Sequence, residues 1–227
     1  VWVYGRMIKR NRLLCLLSGV RGFEKPKVVL EQYATDAEMA AEIIRVVAES
    51  EGGSLEGACV IDLGAGAGML SISAAAAGAS FVLGVEIDPD AAAVCAENIE
   101  EAEMNGICNI VVGDALRLPL LSSSFDLALL NPPFGTKNNA GIDLFFVSRA
   151  LSLVRPGGAV FSLHKTATRQ HILKRAGGMG AEAEAVATIR WKLSQTYRFH
   201  KKKAIDIDVD LIRFIKKEER GGEGEDA

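Results

Sequence analysis

Residues 57–88 read GACVIDLGAGAGMLSISAAAAGASFVLGVEID, and the order of parts in this stretch decides the fold class. An apolar run over about 58–63 has the composition of a buried strand and stops in Gly64, Gly66 and Gly68. The Ala-rich MLSISAAAAG that follows favours a helix, and SFVLGVEID returns as a second strand. A strand, a glycine turn, a helix and a strand make a crossover unit whose two strands run parallel.

The pattern repeats outward. PDAAAVCAENIEEAEMNG reads as a helix with Pro89 near its first turn and a glycine at its end. NIVVGD and SFDLALLNPP are the next strands, a helix covers about 141–154, and GAVFSLH is a strand after the turn RPGG. This alternation predicts a mostly parallel sheet with helices on both faces. After a helix at about 166–178, AEAVATIRWKL and IDIDVDLIRF are two further strands joined by a short loop, hence an antiparallel hairpin at the end of a seven-stranded sheet. The last strand alternates, with Ile205, Ile207, Val209 and Leu211 on one face. Upstream, residues 36–50 form an amphipathic helix with Thr35 or Asp36 as its cap.

A chain of 227 residues with 49% hydrophobic content can bury one substantial core. Three parts are expected: a basic amino-terminal extension over 1–21, one domain over 22–215, and an acidic tail over 216–227 too polar to fold. The tail from Glu218 carries a net −4, and removing it from the chain's −3 leaves a body at +1. Cys15, Cys59, Cys95 and Cys108 are widely spaced with no CxxC pair, so neither a metal site nor a disulfide framework is expected and a reducing, intracellular setting follows. No apolar stretch approaches the roughly 18 residues of a membrane span.

The glycine loop is GxGxG, and the position that would complete a dinucleotide fingerprint is Met69. Alone, such a loop also describes a tight turn that binds nothing. Its address narrows the reading, because it leaves the carboxyl end of the first strand, where open parallel sheets bind ligands and where missing side chains let a ligand approach the backbone. Glu86 ends the second strand and can accept both hydroxyls of a ribose; Asp114 ends the third, within reach of an adenine amine. Asp88 and Asp90 suit a helix start. Together these residues predict a nucleoside cofactor.

The stretch NPPFG at 131–135 stops the fourth strand with residues that cannot continue it. An aromatic amine is a poor nucleophile because its lone pair is delocalised into the ring. Asn131 offers a side-chain oxygen to one amine proton, and Pro132 offers a backbone carbonyl, held by two successive rings with Pro133, to the other. Phe134 offers a face on which a base can stack. An ordinary Asn-Pro turn is the plain alternative. FHKKK, Phe199 to Lys203 with His200, Lys201 and Lys202 between, sets cations beside an aromatic as phosphate contacts require, though a solvated loop reads the same way. Lys137, His164, Lys165 and the amino-terminal Arg10, Arg12, Arg21, Lys25 and Lys27 would add to it if they shared a face.

DLGAGAG, VEID, GDAL and NPPF on successive strand ends resemble the class I S-adenosylmethionine-dependent methyltransferases that modify amines. GFEKPKVVLEQYAT, NPPFGTKNNAGID, SLHK and FHKKKAIDIDVDLIRF are similar, more narrowly, to the methyltransferase-like protein 5 family and its archaeal relatives, over about Gly22 to Phe214. The resemblance implies a class I, Rossmann-like fold and methylation of the N6 amine of one adenosine in small-subunit ribosomal RNA. It implies S-adenosylmethionine held by Asp62, Gly64, Gly66, Ala67, Gly68, Met69, Glu86, Asp114 and Ala115, with Gln32, Tyr33 and Thr35 closing over its methionine end. It also raises a small zinc-binding activator subunit that pairs along a sheet edge, and a cytoplasmic, nuclear or nucleolar setting. A methyltransferase for a protein glutamine amide is the rival reading; that class generally has Tyr where this chain has Phe134, and an additional amino-terminal helical domain. A DNA methyltransferase usually carries a recognition domain for which there is no room. A catalytically silent RNA-binding scaffold would not need Asn131, Glu86 and the glycines.

Overall fold

The computed structural model describes residues 9–135, 139–194 and 204–218, with backbone alone at 192–194 and 204–205. Helix α1 (Arg10–Ser18) and α2 (Ala37–Ser50) precede β1 (Cys59–Leu63), α3 (Met69–Ala76), β2 (Phe81–Glu86), α4 (Pro89–Glu101), β3 (Cys108–Val112) and β4 (Phe125–Leu130). Then follow α5 (Ile142–Leu153), β5 (Val154–Lys165), α6 (Arg169–Ala176), β6 (Ala181–Ser194) and β7 (Ala204–Lys216). The sheet order is β3-β2-β1-β4-β5-β7-β6. The first five strands pair in parallel, and β7 is antiparallel to both β5 and β6. This is the mostly parallel seven-stranded sheet, closed by an antiparallel strand, that the strand and helix pattern predicts, in the order that the resemblance to class I methyltransferases implies.

Alternation explains the near-continuous apolar runs of the central strands, because both faces are covered. Val60, Leu127, Leu129, Val209 and Leu211 enter a core with α1, α2 and α3, and Ile207 packs against it. Ile61, Leu63, Ala128, Leu130, Ile212 and Phe214 enter the opposite core with α5 and α6. The segment expected as a basic extension contributes here: Leu13 and Leu17 of α1 are buried in the first core. Asp36 is the α2 cap, its carboxylate accepting from the Met39 amide at 2.8 Å.

Two boundaries differ from expectation. No glycine stops α4: Met104 N–H bonds to the Ile99 carbonyl and Glu103 N–H to the Glu100 carbonyl, a closing motif in which Glu103 itself takes φ 58°. Burial of Met104 beside Ile99 secures a turn that Glu103 alone would disfavour. The turn RPGG does not precede β5 but interrupts it, since Phe125 pairs with Val154 and Leu127 with Ala159. Gly157 there has φ 75°, and a Cβ on Gly158 would meet the Asp126 carbonyl oxygen at 2.8 Å.

Chain order along the sheet reverses between β1 and β4, because β1 leads outward through β2 to β3 while β4 leads the other way to β5. The loops after β1 and β4 therefore part at their carboxyl ends, leaving a crevice between the glycine loop and NPPF.

Candidate active site

That crevice is a cavity of about 300 Å³. Of the residues expected to hold the cofactor, Gln32, Thr35, Asp62, Gly64, Gly66, Ala67, Met69, Glu86, Asp114 and Ala115 line it, and Asn131 and Pro133 close its far wall. Gly68 and Pro132 are not among the residues that line it; Pro132 is buried.

The glycine loop is shaped by its neighbours more than by open space. Gly64, Gly66 and Gly68 all have positive φ. A Cβ on Gly66 would sit 2.7 Å from the Phe23 ring, and one on Gly68 would sit 2.6 Å from Cys95 Sγ. At these two positions the space a side chain would take is filled by Phe23 and by Cys95, while Gly64 and Gly66 still border the cavity. Burial pushes the Cys95 thiol up to about 12, so it packs as an apolar group.

Glu86 is buried, yet both its oxygens are engaged. Oε2 accepts from the Gly66 amide and Oε1 from the Asp88 amide, each at 2.8 Å. Burial raises its pKa, opposed by these backbone donors. A carboxylate oxygen can accept more than one hydrogen bond, and Glu86 borders the cavity. Asp62 lies deeper, its Oδ2 accepting from the Ser71 hydroxyl at 2.7 Å. Burial pushes the Asp62 carboxyl up to about 7, opposed by Ser71 and reinforced by the charge of Glu86.

That shift has a checkable consequence. A carboxyl with an unfolded value near 3.8 and a folded value of about 7 keeps its proton longer in the folded state. Its contribution to stability is therefore complete at low pH and is lost as pH rises through 7, an effect on the order of 4 kcal/mol at about 1.4 kcal/mol per pKa unit. Asp62→Asn, which cannot ionise, is expected to gain stability relative to the parent between pH 5 and pH 8 in denaturant titrations. A difference that stays constant with pH would show that Asp62 does not titrate in this range.

Residues 19–35 cross over the cavity as a strap tied to α4. Asn98 Oδ1 accepts from the Arg21 amide at 3.0 Å, and its Nδ2 donates to the carbonyls of Arg21 at 2.9 Å and Ala67 at 2.8 Å. Gln32 Nε2 donates to Asp88 at 2.9 Å, and Lys27 pairs with Asp88 and Asp90. Burial works against the Asp88 charge, but donors from Lys27, Gln32 and the Asp90 amide hold its carboxyl below the usual range. Asp88 thus caps α4 and anchors the strap.

At the far wall, Asn131 Nδ2 donates to Thr35 Oγ1 at 2.9 Å. The Phe134 ring stands edge-to-face against Trp191 at 5.9 Å, with Lys165 Nζ 5.6 Å from its centroid. Lys165 is thereby brought beside NPPF.

Other expected contacts fall elsewhere. His164, expected among residues facing RNA, is fully buried, its Nδ1 3.0 Å from Asp143 Oδ2. It cannot meet a phosphate, because β5 directs it inward beneath α5. Burial works against the Asp143 charge, but His164 holds its carboxyl below the usual range. Arg10 pairs with Glu38, and Arg21 with Glu97 and Glu101, so their charges, like that of Lys27, face acids of the same chain. Lys137, Phe199, His200, Lys201, Lys202 and Lys203 lie outside the described residues. Among the described residues, no group of three or more His, Cys, Asp or Glu could hold a metal, and no helix is long and apolar enough to cross a membrane.

Residues 43–188 match the family model of the methyltransferase small domain. The chain is 49% identical over 210 residues to the rRNA N(6)-adenosine-methyltransferase metl-5 of Caenorhabditis elegans, covering 91% of this chain and 97% of that protein. It is 41% identical over 208 residues to the rRNA N(6)-adenosine-methyltransferase METTL5 of Danio rerio, covering 91% and 99%. Among solved structures, PH1948 of Pyrococcus horikoshii superposes with a TM-score of 0.79 at 34% identity, covering 93% of this chain and all of that one.

Proposed function

The chain belongs to the family of rRNA N6-adenosine methyltransferases, and from that premise we propose how its residues carry out the reaction. It transfers a methyl group from S-adenosylmethionine to the N6 amine of an adenosine in ribosomal RNA, and our reading takes the small-subunit RNA as its target. The observation that carries the assignment of roles is a shared wall: Asn131 and Pro133 border the same cavity as Glu86 and the glycine loop.

The donor set suits the cofactor. Apolar Ile87, Leu116 and Ile142 offer faces for a flat ring, and Glu86 retains lone pairs for ribose hydroxyls. Asp114 borders the same space for an adenine amine, while Gln32, Tyr33 and Thr35 of the strap roof it. Bound there, S-adenosylmethionine supplies a methyl carbon on a cationic sulfur, an electrophile that calls for orientation rather than a strong base. Asn131 Oδ1 and the Pro132 carbonyl accept the two amine hydrogens and aim the nitrogen lone pair. Phe134 stacks the extruded base, a contact worth about 1–3 kcal/mol. Radiolabelled methyl transfer offered in parallel to ribosomal RNA, free protein and DNA tests this reading; label appearing only in protein would replace it with the glutamine-amide reaction.

Lys165, beside Phe134, joins Lys137 and Phe199–Lys203 as the RNA-backbone contacts. Neutralising Lys201, Lys202 and Lys203 together is expected to weaken RNA binding and flatten its dependence on salt, since fewer counterions are released. An unchanged slope of log affinity against log salt would return that segment to a solvated loop. A small zinc-binding activator subunit would pair along β3, one of the two edges of the sheet, where Val111 and Val112 are exposed. Failure of the two proteins to co-elute would remove it. Ribosomal RNA as substrate places the enzyme inside the cell, in the cytoplasm, nucleus or nucleolus, which imaging of the tagged chain tests.

A further inference from the structure

Donor binding alone does not account for the placement of Thr35. The strap is pinned away from its catalytic end by Asn98, by Lys27 with Asp88, and by Gln32 with Asp88. At that end, the next residue, Asp36, caps α2, a helix deep in the first core. Thr35 is therefore held by its own neighbours in the chain, independently of Asn131, and is itself largely buried.

Asn131 is held differently. Its backbone is set by β4 on one side and Pro132 on the other, but its side-chain amide can turn about a broad terminal torsion. The two ends of that amide are chemical opposites. Oδ1 accepts an amine hydrogen, whereas Nδ2 turned to the same place would set two donors against each other. A partner for Nδ2 on the side away from the base selects the productive end, and Thr35 Oγ1 is that partner at 2.9 Å.

We propose that Thr35 is a positioning residue for methyl transfer: by accepting the Nδ2 hydrogen it holds Asn131 with Oδ1 toward the target amine. This rests on the reading that Asn131 accepts from the amine. Thr35 also ends the strap that roofs the cofactor cavity, so the orientation of the catalytic amide depends on the strap lying closed. Cofactor retention and alignment of the adenine are coupled through one hydroxyl.

The test is single-turnover methylation of ribosomal RNA at saturating S-adenosylmethionine, with cofactor affinity measured separately by calorimetry. Thr35→Val keeps the shape of the side chain and removes the hydroxyl, and the saturated rate is expected to fall about fivefold, the worth of one neutral hydrogen bond. Thr35→Ser is expected to recover most of that loss. In an Asn131→Ala background, Thr35→Val is expected to cost nothing further, because there is no amide left to orient. If Thr35→Val does not fold, Thr35→Ala takes its place in the same comparison. A saturated rate equal to that of the parent, with only cofactor affinity reduced, would overturn the proposal and leave Thr35 as a cofactor contact. So would failure of Thr35→Ser to rescue. Asn131→Ala that keeps its rate would instead sink the reading of Asn131 itself, whatever Thr35 does.

Discussion

Asn131→Ala is expected to lower the single-turnover rate about 100- to 1,000-fold while S-adenosylmethionine still binds with parental affinity. In the proposed mechanism the side chain removed is an acceptor used only as the amine loses its conjugation with the ring, so its effect belongs to the transition state; losses of this size accompany removal of one preorganised partner there. Glu86 ends β2, and the glycine loop and Asp114 follow β1 and β3, so the cofactor cavity loses one edge and not its anchors. Folding should also persist, because Asn131 is only partly buried and its hydrogen-bond partner, Thr35, is held by α2 and the strap. Single-turnover methylation of ribosomal RNA with saturating cofactor measures the rate, and calorimetry measures the affinity. A variant with near-parental rates would make NPPF an ordinary turn and return the reaction to some other group.

The main features of the site were legible because they depend on local order. An acid at a strand end, a glycine turn into a helix and a proline pair after an apolar run are each short patterns, and the parallel sheet aligns their strand ends. Contacts between distant segments carry no such pattern. Asn98 sits on α4 as an unremarked polar residue of a helix, yet it binds the backbone of Arg21, 77 residues away, and of Ala67. Trp191 reads as one residue of a late strand until β6 brings it edge-on to Phe134. Phe23 stands in a loop sequence with no period, and only the fold sets it on Gly66. The misplacement of His164 has the same origin. Beside Lys165 in sequence it resembles a basic pair, but both faces of β5 are covered, so every residue from Gly158 to His164 is buried and only Lys165, the last of the strand, emerges. Asp143, at the first turn of the helix beyond the NPPF loop, was the partner that could have signalled this.

Replacement of Glu86 should act on both binding and structure. In Glu86→Ala the ribose loses a charged acceptor, worth about 1.5–3 kcal/mol, which corresponds to roughly a 10- to 150-fold weaker Kd. The amides of Gly66 and Asp88 also lose their acceptor inside the protein, each at about 1–3 kcal/mol where water does not replace it. The thermal midpoint of the cofactor-free protein is therefore expected to fall together with affinity. Glu86→Gln separates charge from geometry. Its shape matches, but both carboxylate oxygens already accept from backbone N–H groups, so one end of a glutamine would set its NH2 against a donor. The glutamine variant should consequently bind S-adenosylmethionine almost as poorly as the alanine variant. Had Glu86 served the ribose alone, an amide retaining one acceptor would recover a good part of the affinity. Calorimetric titration of the three proteins, with thermal denaturation of each in the absence of cofactor, decides between these outcomes. Unchanged affinity in Glu86→Ala would remove the residue from the cofactor site. Strong binding by Glu86→Gln would show instead that the glycine loop keeps its shape without the carboxylate.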